Sequence, residues 1–352
     1  MAARDDTVRT NTAGELSLRI ATFNLESLDL PPKARVPLEV RAQILRPILQ
    51  RLEADILCLQ EVNAQHIAGQ TGRGLVALDR LLAGTTYASY ARVTTTGGNG
   101  RDLADVHNLV TLSRFPIRAH EEVRHGLVAP PTYRVTTAVP PEVEARRIIF
   151  DRPALLAHIE LPGGNNLAVI NVHLRAPLAA VIPGQKLEPF VWKTLAGWAE
   201  GYFLSAMRRA GQALEVRLLV EQLFDADASR LVAIAGDFNA EDHEVPITLV
   251  VGAEENTGNP LLAPRALLVL DRALPADRRW SVLHYGAGRC STTFSQARRC
   301  RHASGPLKST TRRSATSSSP MLATSAPRHR PTRQSSPSST LAVHDRLSAR
   351  CQ

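Results

Sequence analysis

The sequence lacks an apolar run near the roughly 20 residues that a membrane-spanning helix needs, which excludes an integral membrane protein. Residues 1–15 have no apolar centre, so they do not resemble a secretory signal and are expected to form a disordered lead-in. Three of the four cysteines lie beyond residue 286, and Cys58 alone offers neither a disulfide framework nor a zinc spacing. Cys58 is expected to be a buried free thiol. The sparse cysteines and the absence of a signal-like segment lead us to expect a cytoplasmic protein.

Charge is also unevenly distributed along the chain. Residues 287–352 hold eleven Arg and one Lys against one Asp, a net charge of +11, whereas the whole 352-residue chain carries +9. The first 286 residues are therefore nearly neutral, at −2, and give no electrostatic argument for a polyanionic partner. The C-terminal stretch also contains fourteen Ser and eight Thr without a periodic apolar face, so it is predicted to be a disordered, low-complexity basic tail.

Residues 16–286 alternate strands and helices and are predicted to form one domain. Apolar residues at helical spacing predict helices over 38–53 and 75–83, and 186–224 reads as mostly helical. Short apolar runs predict strands over 18–25, 55–62, 87–93, 107–117, 152–161, 167–174 and 231–239. The Gly-Gly-Asn of LPGGNN (161–166) predicts a hairpin turn. Hairpins interleaved with helices predict an α/β (α+β) fold with two packed sheets and helices outside.

Four predicted strand ends carry polar side chains that a strand does not need. They are Asn24 in ATFNLES, Glu61 in CLQEV, His173 in INVHL, and Asp237 with Asn239 in GDFN. Each alone is most simply a cap or a solvated turn residue, but together they predict one site built from adjacent strand ends. Asp237 and Asn239 are two residues apart and would face one side of an extended strand. Carboxylate and amide oxygens suit Mg²⁺, and a histidine can hydrogen-bond a phosphate oxygen.

The ordered series ATFNLES, CLQEV, HNLVTLSRFPI, VINVHL and AGDFNA resembles the endonuclease/exonuclease/phosphatase superfamily over roughly residues 16–286. The resemblance implies a four-layered α/β-sandwich with two mixed sheets. It also implies Mg²⁺- or Mn²⁺-dependent hydrolysis of a phosphoester. The protein is expected to be a monomer. DNA, RNA, inositol phosphates and phospholipids all stay open as substrates, because these motifs are shared by hydrolases of each kind.

The resemblance further implies a role for each motif residue. Glu61 would be the main metal ligand, with Asn24 beside it. Asp237 would orient the attacking water, and Asn239 and His173 would contact the scissile phosphate.

Two more residues lie in the Asn-Leu-Val-Thr-Leu-Ser-Arg segment. Asn108 would be a further catalytic site member, because it holds the position of the Asn that precedes the family's Leu-Ser-Arg strand. Arg114 is expected to form a structural ion pair. The family pattern also requires an Asp-His strand and a terminal Ser-Asp-His, but neither follows Tyr285. The second sheet is therefore expected to lack its last two strands.

A frameshift near 286–289 would account for this loss. The DNA that encodes this segment can be read in another frame, in which each new codon starts at the third base of a codon in the present frame. In that frame, the codons of residues 289–297 permit Met-Leu-Asp-His-Ile-Leu-Ala-Ser. In the same frame, 308–321 permit Val-His-Asn-Glu-Thr-Leu-Gly-Asp-Glu-Leu-Val-Ala-Tyr, and 331–341 permit His-Ala-Pro-Val-Val-Ala-Glu-Phe-Asp-Leu. Three family-like strings in one frame favour this hypothesis, although each uses degenerate positions.

Two other classes of function stay open. The chain could be a catalytically impaired relative of the family whose fold persists. Alternatively, the basic tail could bind nucleic acid by releasing counterions from the phosphate backbone.

Overall fold

Two β-sheets form the centre of the computed structural model, which describes residues 17–34, 36–97, 100, 102–273, 275, 282–284, 287–289, 292–297 and 347–348. The helices are α1 Leu38–Leu52, α2 Val76–Leu82, α3 Leu195–Ala226 and α4 Val245–Val251, and 3₁₀ helices lie at Thr86–Ser89, Glu254–Asn256, Pro260–Arg265 and Leu270–Ala273. The strands are β1 Ser17–Leu18, β2 Ile20–Leu28, β3 Ile56–Val62, β4 Gln65–His66, β5 Arg73–Gly74, β6 Ala91–Thr94, β7 Asn108–Ser113, β8 Ile117–Val123, β9 Thr132–Tyr133, β10 Arg146–Arg147, β11 Ala154–Glu160, β12 Asn166–His173, β13 Lys186–Glu188, β14 Val191–Trp192, β15 Leu231–Asp237, β16 Leu267–Val269, β17 Val282–His284, β18 Ala287–Arg289, β19 Thr292–Ala297 and β20 Leu347–Ser348.

Both central sheets are mixed. The first has four strands in the order β2-β3-β7-β6, and the second has six in the order β16-β19-β15-β12-β11-β8. The pairs β2/β3 and β12/β15 are parallel, and the other pairs are antiparallel. The predicted hairpin is confirmed between β11 and β12, where Gly163 and Gly164 adopt φ angles of 82° and 80° that favour glycine.

Alternation along the buried strands assigns the layers. In β3, Cys58 packs between the two sheets, whereas Leu57 and Leu59 pack against α1 and α2. In β12, Val169 faces the space between the sheets, and Ile170 packs against α3 and α4. The order is therefore α1/α2, first sheet, second sheet, α3/α4, which confirms the four-layered sandwich. Cys58 is a buried free thiol as predicted, and burial raises its pKa to about 12.

The segment predicted as helical over 186–224 differs at its beginning. Strands β13 and β14 pair there as a short hairpin around Pro189, which cannot donate a helical hydrogen bond. Helix α3 begins only after Thr194, whose side chain accepts a hydrogen bond from the backbone of Gly197. None of the helices in the described ranges combines the length and apolarity needed to cross a membrane.

Two other sequence expectations are corrected by the described residues. The predicted strand over 87–93 is a 3₁₀ helix followed by β6. The sequence predicts that the second sheet ends before residue 287, yet β19 pairs with both β15 and β16. Strand pairing uses backbone groups, and Thr and Phe favour strands, so the edge of β15 is covered without an apolar run. Residues 1–15, which are predicted to be a disordered lead-in, lie outside the described residues. Most of the predicted disordered tail over 287–352 also lies outside them.

Candidate active site

Two parallel strand pairs bring the predicted site residues to one edge of the molecule. Asn24 lies opposite Gln60 in the β2/β3 pair, and His173 lies opposite Asp237 in the β12/β15 pair. The carboxyl ends of parallel strands meet at the same edge of a sheet. The two edges also touch, because Asn24 Nδ2 donates to Asp237 Oδ2 at 3.0 Å.

Two carboxylates and one imidazole surround the amide of Asn24. Its Nδ2 also donates to Glu61 Oε1 at 3.1 Å. His173 Nε2 lies 3.7 Å from that same oxygen of Glu61 and 3.9 Å from Asp237 Oδ2. The other oxygen of Glu61 accepts from the backbone and the hydroxyl of Ser27, at 2.9 and 3.2 Å. The structure therefore brings Asn24, Glu61, His173 and Asp237 into one polar cluster.

Unusual backbone angles concentrate at this cluster. Seven non-glycine residues in the described ranges have positive φ, and five of them surround the site: Glu26 (47°), Ser27 (51°), Glu61 (57°), His107 (60°) and Asn239 (47°). The pairing of β3 shifts register on both sides near Glu61, against β2 and against β7. Such bulges re-aim side chains, and strained residues cluster at functional sites.

Burial sets the ionisation of the two central groups. Burial, with a further contribution from the negative charge of Glu61, raises the pKa of Asp237 to about 6, although hydrogen bonds from Asn24 and Asn239 oppose the shift. Burial, followed by the positive charge of Arg152, holds the pKa of His173 well below its usual value. At neutral pH, Asp237 is therefore a carboxylate able to accept a proton, and His173 is neutral.

Asn239 lies two residues beyond the end of β15 and contacts Asp237. Its backbone donates to Asp237 Oδ1 at 2.9 Å, and its amide donates to the carbonyl of Leu174 at 3.1 Å. Arg209 on α3 donates to the carbonyl of Asn239 at 2.7 Å. These bonds fix the left-handed turn that places Asn239 at the site.

Asn108 is fully buried and uses its amide on the backbone. Its Nδ2 donates to the carbonyls of Val62 and Ala104, at 2.9 and 2.8 Å, and its Oδ1 accepts from the backbone of Ala104 at 3.0 Å. In the structure, Asn108 therefore anchors the loop that precedes β7, and its contact with substrate stays a prediction. Arg114 lies 3.4 Å from Asp55, which confirms the structural ion pair.

A buried polar layer joins the two sheets beneath the site. Gln60 Nε2 donates to Asn171 Oδ1 at 2.8 Å. The amide of Asn171 donates in turn to the carbonyls of Leu59 and Val110, at 3.2 and 3.1 Å. These two side chains hold the strand ends in register across the sheets, because unpaired buried amides would be costly.

Sequence reasoning missed two residues at the site, His107 and Arg152. Arg152 donates from its guanidinium to His107 Nδ1 at 3.0 Å. Because arginine can only donate, Nδ1 is the acceptor, and neutral His107 carries its proton on Nε2. Both residues precede strands that run antiparallel to a site strand, β7 beside β3 and β11 beside β12. The start of an antiparallel neighbour lies at the same edge as the site, and this signal could have identified them.

The donor set fits Mg²⁺. Glu61 supplies a carboxylate and Asn24 an amide oxygen, and the Asp237 carboxylate lies within hydrogen-bond distance of the same Asn24 amide. Within the described ranges, no group of three or more His, Cys, Asp or Glu side chains is arranged to hold a metal ion. Mg²⁺ takes one or two carboxylates and keeps several waters, so it does not need a larger ligand set.

Comparison with known proteins identifies the family of this chain. The Endonuclease/Exonuclease/phosphatase family matches residues 21–295. No curated protein is significantly similar to the chain. Similar solved structures include mannosyl-6-phosphatase Bt3783 of Bacteroides thetaiotaomicron (14% identity, TM-score 0.49, 80% of this chain and 86% of that chain) and truncated TDP2 of Caenorhabditis elegans (14%, 0.44, 83% and 85%). The human nocturnin catalytic domain is similar at 15% identity and a TM-score of 0.44, over 80% of this chain and 82% of that chain. Because the family match spans well over half of the sequence, the chain belongs to the Endonuclease/Exonuclease/phosphatase family.

Proposed function

We propose that the protein hydrolyses phosphoester bonds with Mg²⁺ or Mn²⁺. One observation carries the proposal: Asn24 Nδ2 donates to both Glu61 and Asp237, and His173 Nε2 lies within 4 Å of the same two carboxylates. Two carboxylates, an amide and a neutral imidazole at one edge are the groups that metal-assisted phosphoester hydrolysis uses. Family membership supports this class of reaction.

The metal would be held by the Glu61 carboxylate and by Oδ1 of Asn24, which accepts from the backbone of Glu26 at 2.8 Å and keeps a second lone pair for a cation. When bound, the cation supplies charge neutralisation of the phosphate and favours attack by water. The hydrogen bonds from Ser27 fix the orientation of the Glu61 carboxylate, so this ligand is positioned before any metal arrives.

Asp237 would orient and deprotonate the attacking water. Its pKa of about 6 leaves it ionised at neutral pH while keeping it basic enough to accept a proton. His173 and Asn239 would contact the scissile phosphate. We add His107, whose Nε2–H has no acceptor among the described residues and can donate to a phosphate oxygen.

The test is hydrolysis of bis(p-nitrophenyl) phosphate by the full chain, with Mg²⁺ or with EDTA. Turnover should require Mg²⁺, and Asp237→Asn should lower it by about 10²–10⁴-fold, as expected for loss of a general base. The matched control is Asp225→Asn, which changes an exposed carboxylate paired with Arg265 and should leave the rate within about twofold. Full turnover in EDTA, or by Asp237→Asn, would contradict the proposal.

A further inference from the structure

Three arginines lie together beside the site and are not used by the proposed chemistry. We call Arg152, Arg175 and Arg208 the arginine cluster. In the described ranges, six buried side-chain nitrogen or oxygen atoms have no hydrogen-bond partner, and four of them are the Nε atoms of these three arginines and Nδ1 of His173. Three of these four atoms are guanidinium donors, and buried donors without partners are rare in folded proteins, so their concentration here indicates a place for an acceptor.

Gln212 on α3 holds the cluster together. Its Oε1 accepts from the backbone of Arg175 at 3.0 Å, and its Nε2 donates to the carbonyl of Arg152 at 3.1 Å. Arg208 lies four residues before Gln212 on the same helix and therefore on the same face. Arg175 also follows His173 by two residues, which places the cluster next to the catalytic edge.

The part of the cluster formed by Arg175 and Arg208 has more positive than negative charge. Asp151 is the carboxylate that interacts with all three arginines, and its Oδ2 lies 3.3 Å from Arg175. Nearby Arg146 adds another positive charge that is paired with Glu142 at 3.5 Å. Arg152 also interacts with Glu61 and Asp237, the two carboxylates of the site, so the unbalanced charge lies on Arg175 and Arg208, which share Asp151. This excess of positive charge attracts an anion such as a phosphate.

We propose that the arginine cluster binds a second phosphate group of the substrate, beside the phosphoester that is cleaved. The inference rests on the proposed function, because it takes the cleaved phosphate to lie at Glu61 and Asp237. Arg152 links the two positions, since it contacts His107 on one side and belongs to the cluster on the other. The substrate class is thus a molecule with two phosphates, and polynucleotides and small bisphosphates share this chemistry.

The first experiment measures binding without metal or turnover. Thymidine 3′,5′-bisphosphate and fructose 1,6-bisphosphate are titrated into the full chain in EDTA by calorimetry. We expect at least one to bind, and Arg208→Gln to weaken that binding by about tenfold or more. Arg175→Gln should do the same, which guards against a folding defect in one variant. Binding of the nucleotide alone would identify a polynucleotide substrate, and binding of both would identify small bisphosphates as well.

The control is Arg230→Gln. Arg230 also has a buried Nε without a hydrogen-bond partner, but this atom lies 3.9 Å from the Asp227 carboxylate after α3, outside the cluster. It should leave binding unchanged. Absence of binding by both bisphosphates, or equal weakening by Arg230→Gln and Arg208→Gln, would overturn the inference.

The second experiment separates this inference from the proposed function. Release of p-nitrophenol with Mg²⁺ is compared for thymidine 5′-(p-nitrophenyl phosphate) with and without a 3′-phosphate. A preference of about tenfold for the 3′-phosphorylated substrate, lost in Arg208→Gln, would support both proposals. Arginine-dependent binding without hydrolysis would contradict the proposed function alone. Hydrolysis without the preference and without bisphosphate binding would contradict the second-phosphate site alone.

Discussion

The two sheets reach the site in different ways. In the second sheet, β12 and β15 pair without interruption from Leu167 to His173, so His173 and Asp237 are placed by regular strand geometry. In the first sheet, the β2/β3 pairing breaks after Asn24, and Glu61 sits at positive φ. The half proposed to hold the metal is therefore stabilised by side-chain hydrogen bonds against local strain. The half proposed to contact the phosphate is stabilised by the hydrogen bonds of regular strand pairing.

The two halves of the site are stabilised by different interactions. A residue at positive φ costs about 1–3 kcal/mol and persists only where its surroundings enforce it. Ser27 fixes the side chain at this position through two hydrogen bonds to the carboxylate of Glu61. The second-sheet half instead depends on close strand packing, because a Cβ on Gly236 would lie 2.0 Å from the carbonyl oxygen of Val172.

The largest expected effect concerns the edge of the second sheet. Thr292 in β19 lies opposite Asp237. In the shifted frame, the first two bases of the Thr292 codon would become the last two bases of the codon for Asp in the family's Asp-His strand. A gene with the frame restored should thus gain an Asp-His pair beside Asp237 and the terminal His. We expect its phosphodiesterase rate to exceed that of the present chain by about 10²–10⁴-fold, the usual contribution of one proton-transfer group, because the terminal His would relay the proton that Asp237 accepts.

The encoding DNA across residues 280–300, followed by rate measurements on both proteins, checks this prediction. The first 286 residues are identical in the two proteins, so the comparison isolates the C-terminal segment. Stop codons in the shifted frame, or equal rates, would reject the frameshift hypothesis.

A smaller effect tests the buried carboxylate of the second-sheet half. Burial raises the pKa of Asp237 from its ordinary value of 3.8 to about 6 in the folded chain, so the folded state binds this proton more tightly than the unfolded state does. The free energy of unfolding should then fall as pH rises between these values. Between pH 4.5 and 7.5 this contribution amounts to about 2 kcal/mol.

Urea unfolding in EDTA measures this contribution. The difference in free energy of unfolding between wild type and Asp237→Asn should change by about 2 kcal/mol between pH 4.5 and 7.5. The reason is that the variant lacks the titrating group while all other groups are retained. A difference that stays constant with pH would mean that Asp237 ionises as an ordinary surface carboxylate.

Much of the fold and the core of the site follow from the sequence. Alternating apolar runs predicted the strands that carry Asn24, Glu61, His173 and Asp237, and polar side chains at their ends predicted a shared site. The reason is that strand period and strand ends are local properties of the chain.

The remainder depends on tertiary context. The bulge at Glu61 requires knowledge of both neighbouring strands, since its register shifts occur against β2 and β7 at once. His107 and Arg152 reach the site only because their strands are antiparallel to β3 and β12. Strand β19 pairs through backbone groups, and its segment has no apolar periodicity, so the sequence pattern does not predict this strand.

Manganese binding tests the central claim most directly, because it reports on the junction of the two sheets without requiring turnover. Calorimetry of Mn²⁺ with the full chain should show one site, and Glu61→Gln should weaken it by about tenfold or more because a charged ligand is replaced by a neutral one of the same shape. Glu53→Gln is the matched control. Glu53 follows α1 and also has positive φ, but its carboxylate forms an ion pair with Arg19. The account predicts unchanged affinity in Glu53→Gln and a sharp loss in Glu61→Gln. Equal Mn²⁺ affinity in wild type and Glu61→Gln would contradict it.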